Sequence, residues 1–161
     1  MTDLRALLRG LVEAGVELTV VGGAAATVHG AARLTFDLDV VYRRTPENLR
    51  RLVAALAPLG PYPRGAPPGL PFRWNARTLE AGLNFTLTTT HGELDLLGEI
   101  TAGGGYEALL PHTVEIAAFG VTARVLDLQT LIRVERAVGR PKDFEAIAEL
   151  EALLEERGPG A

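Results

Sequence analysis

Two aspartates one residue apart, Asp37 and Asp39, interrupt the apolar run Leu34-Thr35-Phe36-Asp37-Leu38-Asp39-Val40-Val41-Tyr42. The run predicts a strand, and a strand turns successive side chains to opposite faces. Asp37 and Asp39 then share a face, with Cα atoms roughly 6.6 Å apart along it. Aspartate is depleted in strands, and at an effective dielectric near 20 two carboxylates about 6 Å apart repel by about 3 kcal/mol. A divalent cation is the simplest group to offset that repulsion. Mg²⁺ takes oxygen ligands and is commonly held by one or two carboxylates together with substrate phosphates, so the Asp-Leu-Asp strand is a candidate phosphoryl-transfer site. The competing reading is a solvated pair on an edge strand.

A chain of 161 residues is the size of one domain and predicts a single unit over 1–161, with a core at 3–125 and a helical C-terminal part at 126–157. No stretch supplies the ~20 apolar residues of a membrane span. Met1 to Arg9 carries charges and no small-residue cleavage site, so the expectation is a cytoplasmic protein without a signal peptide. There is no cysteine, which excludes disulfides, thiolate catalysis and the usual structural zinc sites. A net charge of -4 argues against a general nucleic-acid coat. Lys142 is the only lysine, and its neighbours exclude a Walker A loop.

Along the chain, Leu4, Leu7, Leu8, Leu11 and Val12 recur at helical spacing behind Thr2 as the expected cap, up to Gly15. Val16 to Val21 reads as a buried strand running into Gly22-Gly23, and Ala24 to Gly30 as a short helix. Thr45-Pro46-Glu47 starts a helix that stops at Pro58. Residues 58–71 hold six of the ten prolines and predict an irregular loop. Gly82 to Thr90 and Glu93 to Leu97 read as a hairpin, Thr101 to Gly105 as a flexible glycine loop, and Tyr106 to Leu110 as a short helix. Thr113 to Phe119 and Val121 to Val125 form a second expected hairpin turning at Gly120, followed by helices at Leu128 to Val138 and Pro141 to about Glu156.

Three pieces point to one site. A glycine pair after an apolar strand and before a helix leaves backbone N–H groups to receive a phosphate, although Gly-Gly is also a common turn. Alternation in Glu93-Leu94-Asp95-Leu96-Leu97 places Glu93 and Asp95 on one face, a third strand-borne acid or simply a solvated face. Arg33 and Thr35, just before the paired acids, are candidate phosphate contacts. Arg64, Phe72, Arg73, Trp74 and Arg77 interleave basic and aromatic residues as single-strand binders do, against the plainer reading of a proline-braced loop anchored by Phe72 and Trp74. His29, His91 and His112 lack metal-ligand spacing, and His29 is expected to pack or hydrogen-bond at a helix end.

On Val21-Gly22-Gly23-Ala24 to Gly30, Arg33 to Val40, Gly92-Glu93-Leu94-Asp95-Leu96-Leu97 and Gly139-Arg140-Pro141-Lys142-Asp143, the chain resembles the nucleotidyltransferase superfamily related to DNA polymerase β. Within it the resemblance is to small bacterial members of the abortive-infection, type IV toxin-antitoxin kind. It spans roughly residues 3 to 150. The resemblance implies an α+β fold, a mixed β-sheet flanked by helices with further C-terminal helices. It implies that Gly22 and Gly23 hold the triphosphate, that Asp37, Asp39 and Asp95 bind Mg²⁺ or Mn²⁺, and that Asp95 serves as base. The NTP would be the substrate, and tRNA, another RNA or a protein the acceptor, in a toxin-antitoxin or phage-defence setting. Relatives often carry a lysine where this chain has Glu135, and a carboxylate there would repel phosphates. Arg133, Arg136, Arg140 and Lys142 are the candidates to restore the charge. The alternative that Glu135 motivates is a protein that keeps the fold and binds nucleotide, RNA or a partner toxin without turnover.

Overall fold

A computed structural model describes residues 2–32, 35–141 and 144–158. Helix α1 (Leu4–Glu13) leads into strand β1 (Leu18–Val21), which passes directly into α2 (Gly22–Val28). Strand β2 (Asp37–Tyr42), helix α3 (Pro46–Leu56) and a 3₁₀ turn (Ala57–Leu59) follow. Next come β3 (Tyr62–Pro63), α4 (Ala76–Ala81), β4 (Phe85–Thr89) and β5 (Gly92–Leu97). A small hairpin, β6 (Glu99–Ile100) and β7 (Gly104–Gly105), precedes α5 (Tyr106–Leu109) and a 3₁₀ turn (Leu110–His112). The chain closes with β8 (Thr113–Ala118), β9 (Val121–Leu126), α6 (Leu128–Val138) and α7 (Phe144–Arg157).

Seven strands make one mixed sheet in the order β3-β4-β5-β2-β1-β9-β8. The pairs β2–β5 and β1–β9 are parallel, and the other four are antiparallel. The parallel pair sets the site. Leu38 lies opposite Leu94 and Val40 opposite Leu96, all fully buried, with Leu87 beside Leu94 on β4. Each such side chain contributes about 1.5–3 kcal/mol through burial. Because the strand period is two, the same register sends Asp37, Asp39, Glu93 and Asp95 to the opposite face. The core thus fixes where the acids point.

Local chemistry explains most element ends, with three corrections to the sequence reading. Asp3, not Thr2, caps α1, its carboxylate accepting from the Ala6 N–H at 2.9 Å. Thr2 instead donates its hydroxyl to the Phe36 carbonyl and accepts from the Glu93 N–H, tying the N-terminus across the ends of β2 and β5. Gly92 makes room for that strap: its φ is +114°, and a Cβ there would lie 2.5 Å from the Thr2 Cα. The proline segment contributes a strand, β3, which is tolerated because it lies at the sheet edge. Its loop is braced by an edge-on Tyr62–Phe72 ring contact and by the Trp74 indole N–H donating to the Val53 carbonyl. Gly103-Gly104-Gly105 is not an open loop but the turn and return strand of the β6–β7 hairpin.

Asn48 is the polar tie of the core. It is fully buried, its side-chain oxygen accepts from the Glu17 N–H at 2.7 Å, and its amide donates to the carbonyls of Glu17 and Arg43 at 3.0 and 2.8 Å. One side chain therefore joins the entry to β1, the exit of β2 and the first turn of α3. Asn48→Ala leaves the Glu17 N–H and the Arg43 carbonyl without these partners, while the Glu17 carbonyl keeps the Arg43 N–H, and should cost about 2–4 kcal/mol. Urea unfolding followed by circular dichroism checks it; a loss below about 1 kcal/mol would mean that water replaces the amide.

Candidate functional site

The register opposes Asp37 to Glu93 and Asp39 to Asp95, so two adjacent parallel strands present a square of four carboxylates. Among the described residues, Asp37, Asp39 and Asp95 each offer an oxygen such that the three atoms lie within 4.8 Å of one another. Burial pushes the Asp39 carboxyl up to about 8, and the charges of Asp37 and Asp95 push the same way. Asp37 is raised too, first by burial and then by Asp95. One carboxylate oxygen of Asp39 is buried with no hydrogen-bond partner. An unpartnered carboxyl oxygen beside two further carboxylates fits a hard divalent cation with oxygen ligands.

Gly22 explains how Asp39 is accommodated. Its φ is +63°, and a Cβ there would stand 2.5 Å from an Asp39 carboxylate oxygen. Gly23 plays the same part for Thr35, whose hydroxyl oxygen would lie 2.8 Å from an added Cβ and which donates to the Asp37 carbonyl. The glycine pair thus lets the β1–α2 turn close against the acid strand. Asp3, Thr45, Asn75 and Asp127 cap α1, α3, α4 and α6 with their side chains, whereas α2 has no side-chain cap.

A cavity of about 320 Å³ opens beside Asp39, lined by Gly22, Asn84, Thr101, Glu135 and Arg140 among others. Arg140 and Glu135 therefore meet Asp39 across one space. Arg136 lies elsewhere: it pairs with Glu151 of α7 and lines a larger cleft of about 710 Å³, together with Arg133. That cleft holds none of the four carboxylates. Arg33 and Lys142 lie outside the described residues.

Two residues that the sequence singles out for other reasons, Glu93 as part of a strand face and Arg64 as part of a basic and aromatic group, stand at the acid site. Glu93 lies directly opposite Asp37, which only the parallel register reveals. Arg64, just past β3, reaches across β4 with one guanidinium nitrogen 2.9 Å from Asp95 Oδ1 and another 3.9 Å from Asp37 Oδ2, while its Nε abuts Glu93. The Asp95 and Glu93 contacts are ion pairs by distance without hydrogen-bond alignment, and the aligned bond runs from Arg64 to the Leu87 carbonyl at 2.8 Å. Arg64 thus belongs to the acid site, and Phe72 and Trp74 pack against the core rather than beside it as a stacking platform. His29 is buried as a neutral ring, its nitrogens engaged by the Leu126 carbonyl and Arg157, with burial lowering its pKa.

Neither a family model nor a curated protein sequence matches the chain. Solved structures do. The solution structure of the antibiotic-resistance factor ANT(2'')-Ia is similar with a TM-score of 0.60 at 17% identity, over 96% of this chain and 82% of that one. A protein provisionally assigned as a nucleotidyltransferase from Thermotoga maritima aligns with a TM-score of 0.57 at 16% identity, over 98% and 97% of the two chains. The crystal structure of ANT(2'')-Ia with adenylyl-2''-tobramycin aligns at 0.56 and 16% identity, over 96% and 87%. The fold is that of the nucleotidyltransferases, with the mixed sheet and C-terminal helices expected from the sequence. No helix among the described residues is long and apolar enough to cross a membrane.

Proposed function

We propose that this protein is a divalent-metal-dependent nucleotidyltransferase that moves a nucleoside monophosphate from an NTP onto an acceptor hydroxyl. The observation that carries the reading is the triad of Asp37, Asp39 and Asp95, whose oxygens converge within 4.8 Å beside a cavity. Those residues would hold Mg²⁺ or Mn²⁺, which when bound neutralises phosphate charge and polarises the phosphoryl oxygens. Gly22 and Gly23 supply backbone N–H groups, and Arg140 a cation, to the phosphates in the cavity that Gly22 and Arg140 line. Asp95 accepts the proton of the acceptor hydroxyl. That oxygen bonds to the α-phosphorus, the bond from phosphorus to the bridging oxygen breaks, and pyrophosphate departs with the electron pair. Adenylyl-2''-tobramycin bound to a protein of the same fold supports a hydroxyl as the acceptor.

Glu135, in the same cavity as Asp39, favours a second reading in which nucleotide binds without turnover. One experiment separates them. Each α-labelled NTP is incubated with the protein and, in parallel, a tRNA pool, a protein extract and a panel of hydroxylated small molecules, with Mg²⁺, Mn²⁺ or EDTA. Transfer predicts label in one acceptor class only with metal, with pyrophosphate released in step. Thermal stabilisation by ATP or GTP in EDTA, with no label transferred, establishes the binding protein instead.

A further inference from the structure

Arg64 holds a position that the transfer reading leaves unexplained. Its backbone N–H is bonded to the Thr86 carbonyl at 2.9 Å, which fixes the start of the side chain at the rim of the acid face. From there the guanidinium reaches inward to Asp95 and Asp37 while its Nε stays against Glu93. Arginine is permanently charged, so the carboxylate square has a resident cation. A divalent ion bound by Asp37, Asp39 and Asp95 must take oxygens from that cation or lie within repulsive distance of it. The side chains also show where the arginine can go. Asp95 is 18% exposed and Glu93 36%, so the Glu93 carboxylate is the outer berth.

Resting on the metal reading of this cluster, we propose that Arg64 sets the affinity of the site for divalent ions, as a tethered cation that occupies the Asp95 side of the metal-free cluster and moves outward onto Glu93 when the ion enters. Glu93 is then a positioning residue for Arg64, not a metal ligand. Neutralising Arg64 should tighten metal binding, the reverse of what a mere loss of structure does.

Mn²⁺ binding to the full chain, measured by calorimetry and by the loss of the free-ion paramagnetic resonance signal, tests this without any acceptor. Arg64→Gln should lower the Mn²⁺ dissociation constant by about tenfold or more. Arg64→Lys keeps a charge but not the fork that spans two carboxylates, and should fall between Arg64→Gln and wild type. If Arg64→Gln does not fold without metal, Arg64→Lys carries the comparison. Glu93→Gln should weaken Mn²⁺ binding several-fold in the wild-type background and less than about twofold in the Arg64→Gln background, as expected for a residue acting through its partner. Equal weakening in both backgrounds overturns the role of Glu93. Unchanged or weaker Mn²⁺ binding in both Arg64 variants overturns the competition, while loss of binding in Asp39→Asn leaves the metal site standing. No Mn²⁺ binding by wild type or Arg64→Gln overturns the metal site and this inference together.

Discussion

Asp39→Asn should abolish nucleotidyl transfer, lowering the single-turnover rate by about 10³-fold or more, which is on the order of 4 kcal/mol of transition-state stabilisation. The substitution keeps the shape of the side chain and removes its charge. Asp39 has a buried oxygen without a hydrogen-bond partner, as Asp95 does, but Asp95 also pairs with Arg64, and Asp39 lies against Gly22 beside the cavity. Loss through unfolding predicts a different companion result. Because burial, Asp37 and Asp95 all oppose ionisation of Asp39 in the folded chain, a replacement that is neutral in both states should melt at or above the wild-type temperature when metal is removed. A stable but inactive Asp39→Asn protein places the residue in the reaction, whereas transfer within about tenfold of wild type would remove it. Label incorporation and thermal melting in EDTA, on one preparation, give both answers.

What the sequence makes legible here is the local part of each feature. Alternation along 34–42 puts Asp37 and Asp39 on one face, and alternation along 93–97 does the same for Glu93 and Asp95. The Thr45-Pro46 helix start and the turn at Gly120 are equally local, and the structure has both. Periodicity reports a face but not a neighbour, so the pairing of Asp37 with Glu93 stays hidden until β2 and β5 are seen side by side. The same limit hides Arg64. A proline-rich stretch signals an irregular segment, and nothing local shows that Tyr62–Pro63 joins the sheet as its edge and delivers the next residue to the acids. Thr2 misleads for a related reason, since it meets the helix-cap rule in sequence while its hydroxyl is engaged by Phe36 and Glu93 in space. The glycines carry two meanings at once: Gly22 suits a phosphate turn, and its missing Cβ is also what lets Asp39 approach.

The raised carboxyl of Asp39 gives the metal-free protein an inverted response to pH. A group with a pKa near 8 in the folded chain, and in the ordinary carboxyl range once unfolded, is protonated in the folded state and ionised in the unfolded state between the two values. The folded state then holds the extra proton, and stability falls as pH rises towards 8. Three charged groups facing Asp39 modulate this: Asp37 and Asp95 raise its pKa, and Arg64 lowers it. His29 acts oppositely. Burial lowers its pKa, so its cost to stability sets in as pH falls through its unfolded value of 6.5 and fades within about one unit above it. The window from 6.5 to 8 is therefore dominated by the acid cluster. In EDTA, wild-type stability should drop across it with a slope on the order of 1 kcal/mol per pH unit, or about 2–4 °C in melting temperature. Asp39→Asn should flatten that slope. Saturating Mg²⁺ should flatten or reverse it, because binding requires the carboxylates ionised and tightens as the proton leaves. A melting temperature in EDTA that rises from pH 6.5 to 8 would show that Arg64 already neutralises the cluster and that Asp39 is ionised before any metal arrives.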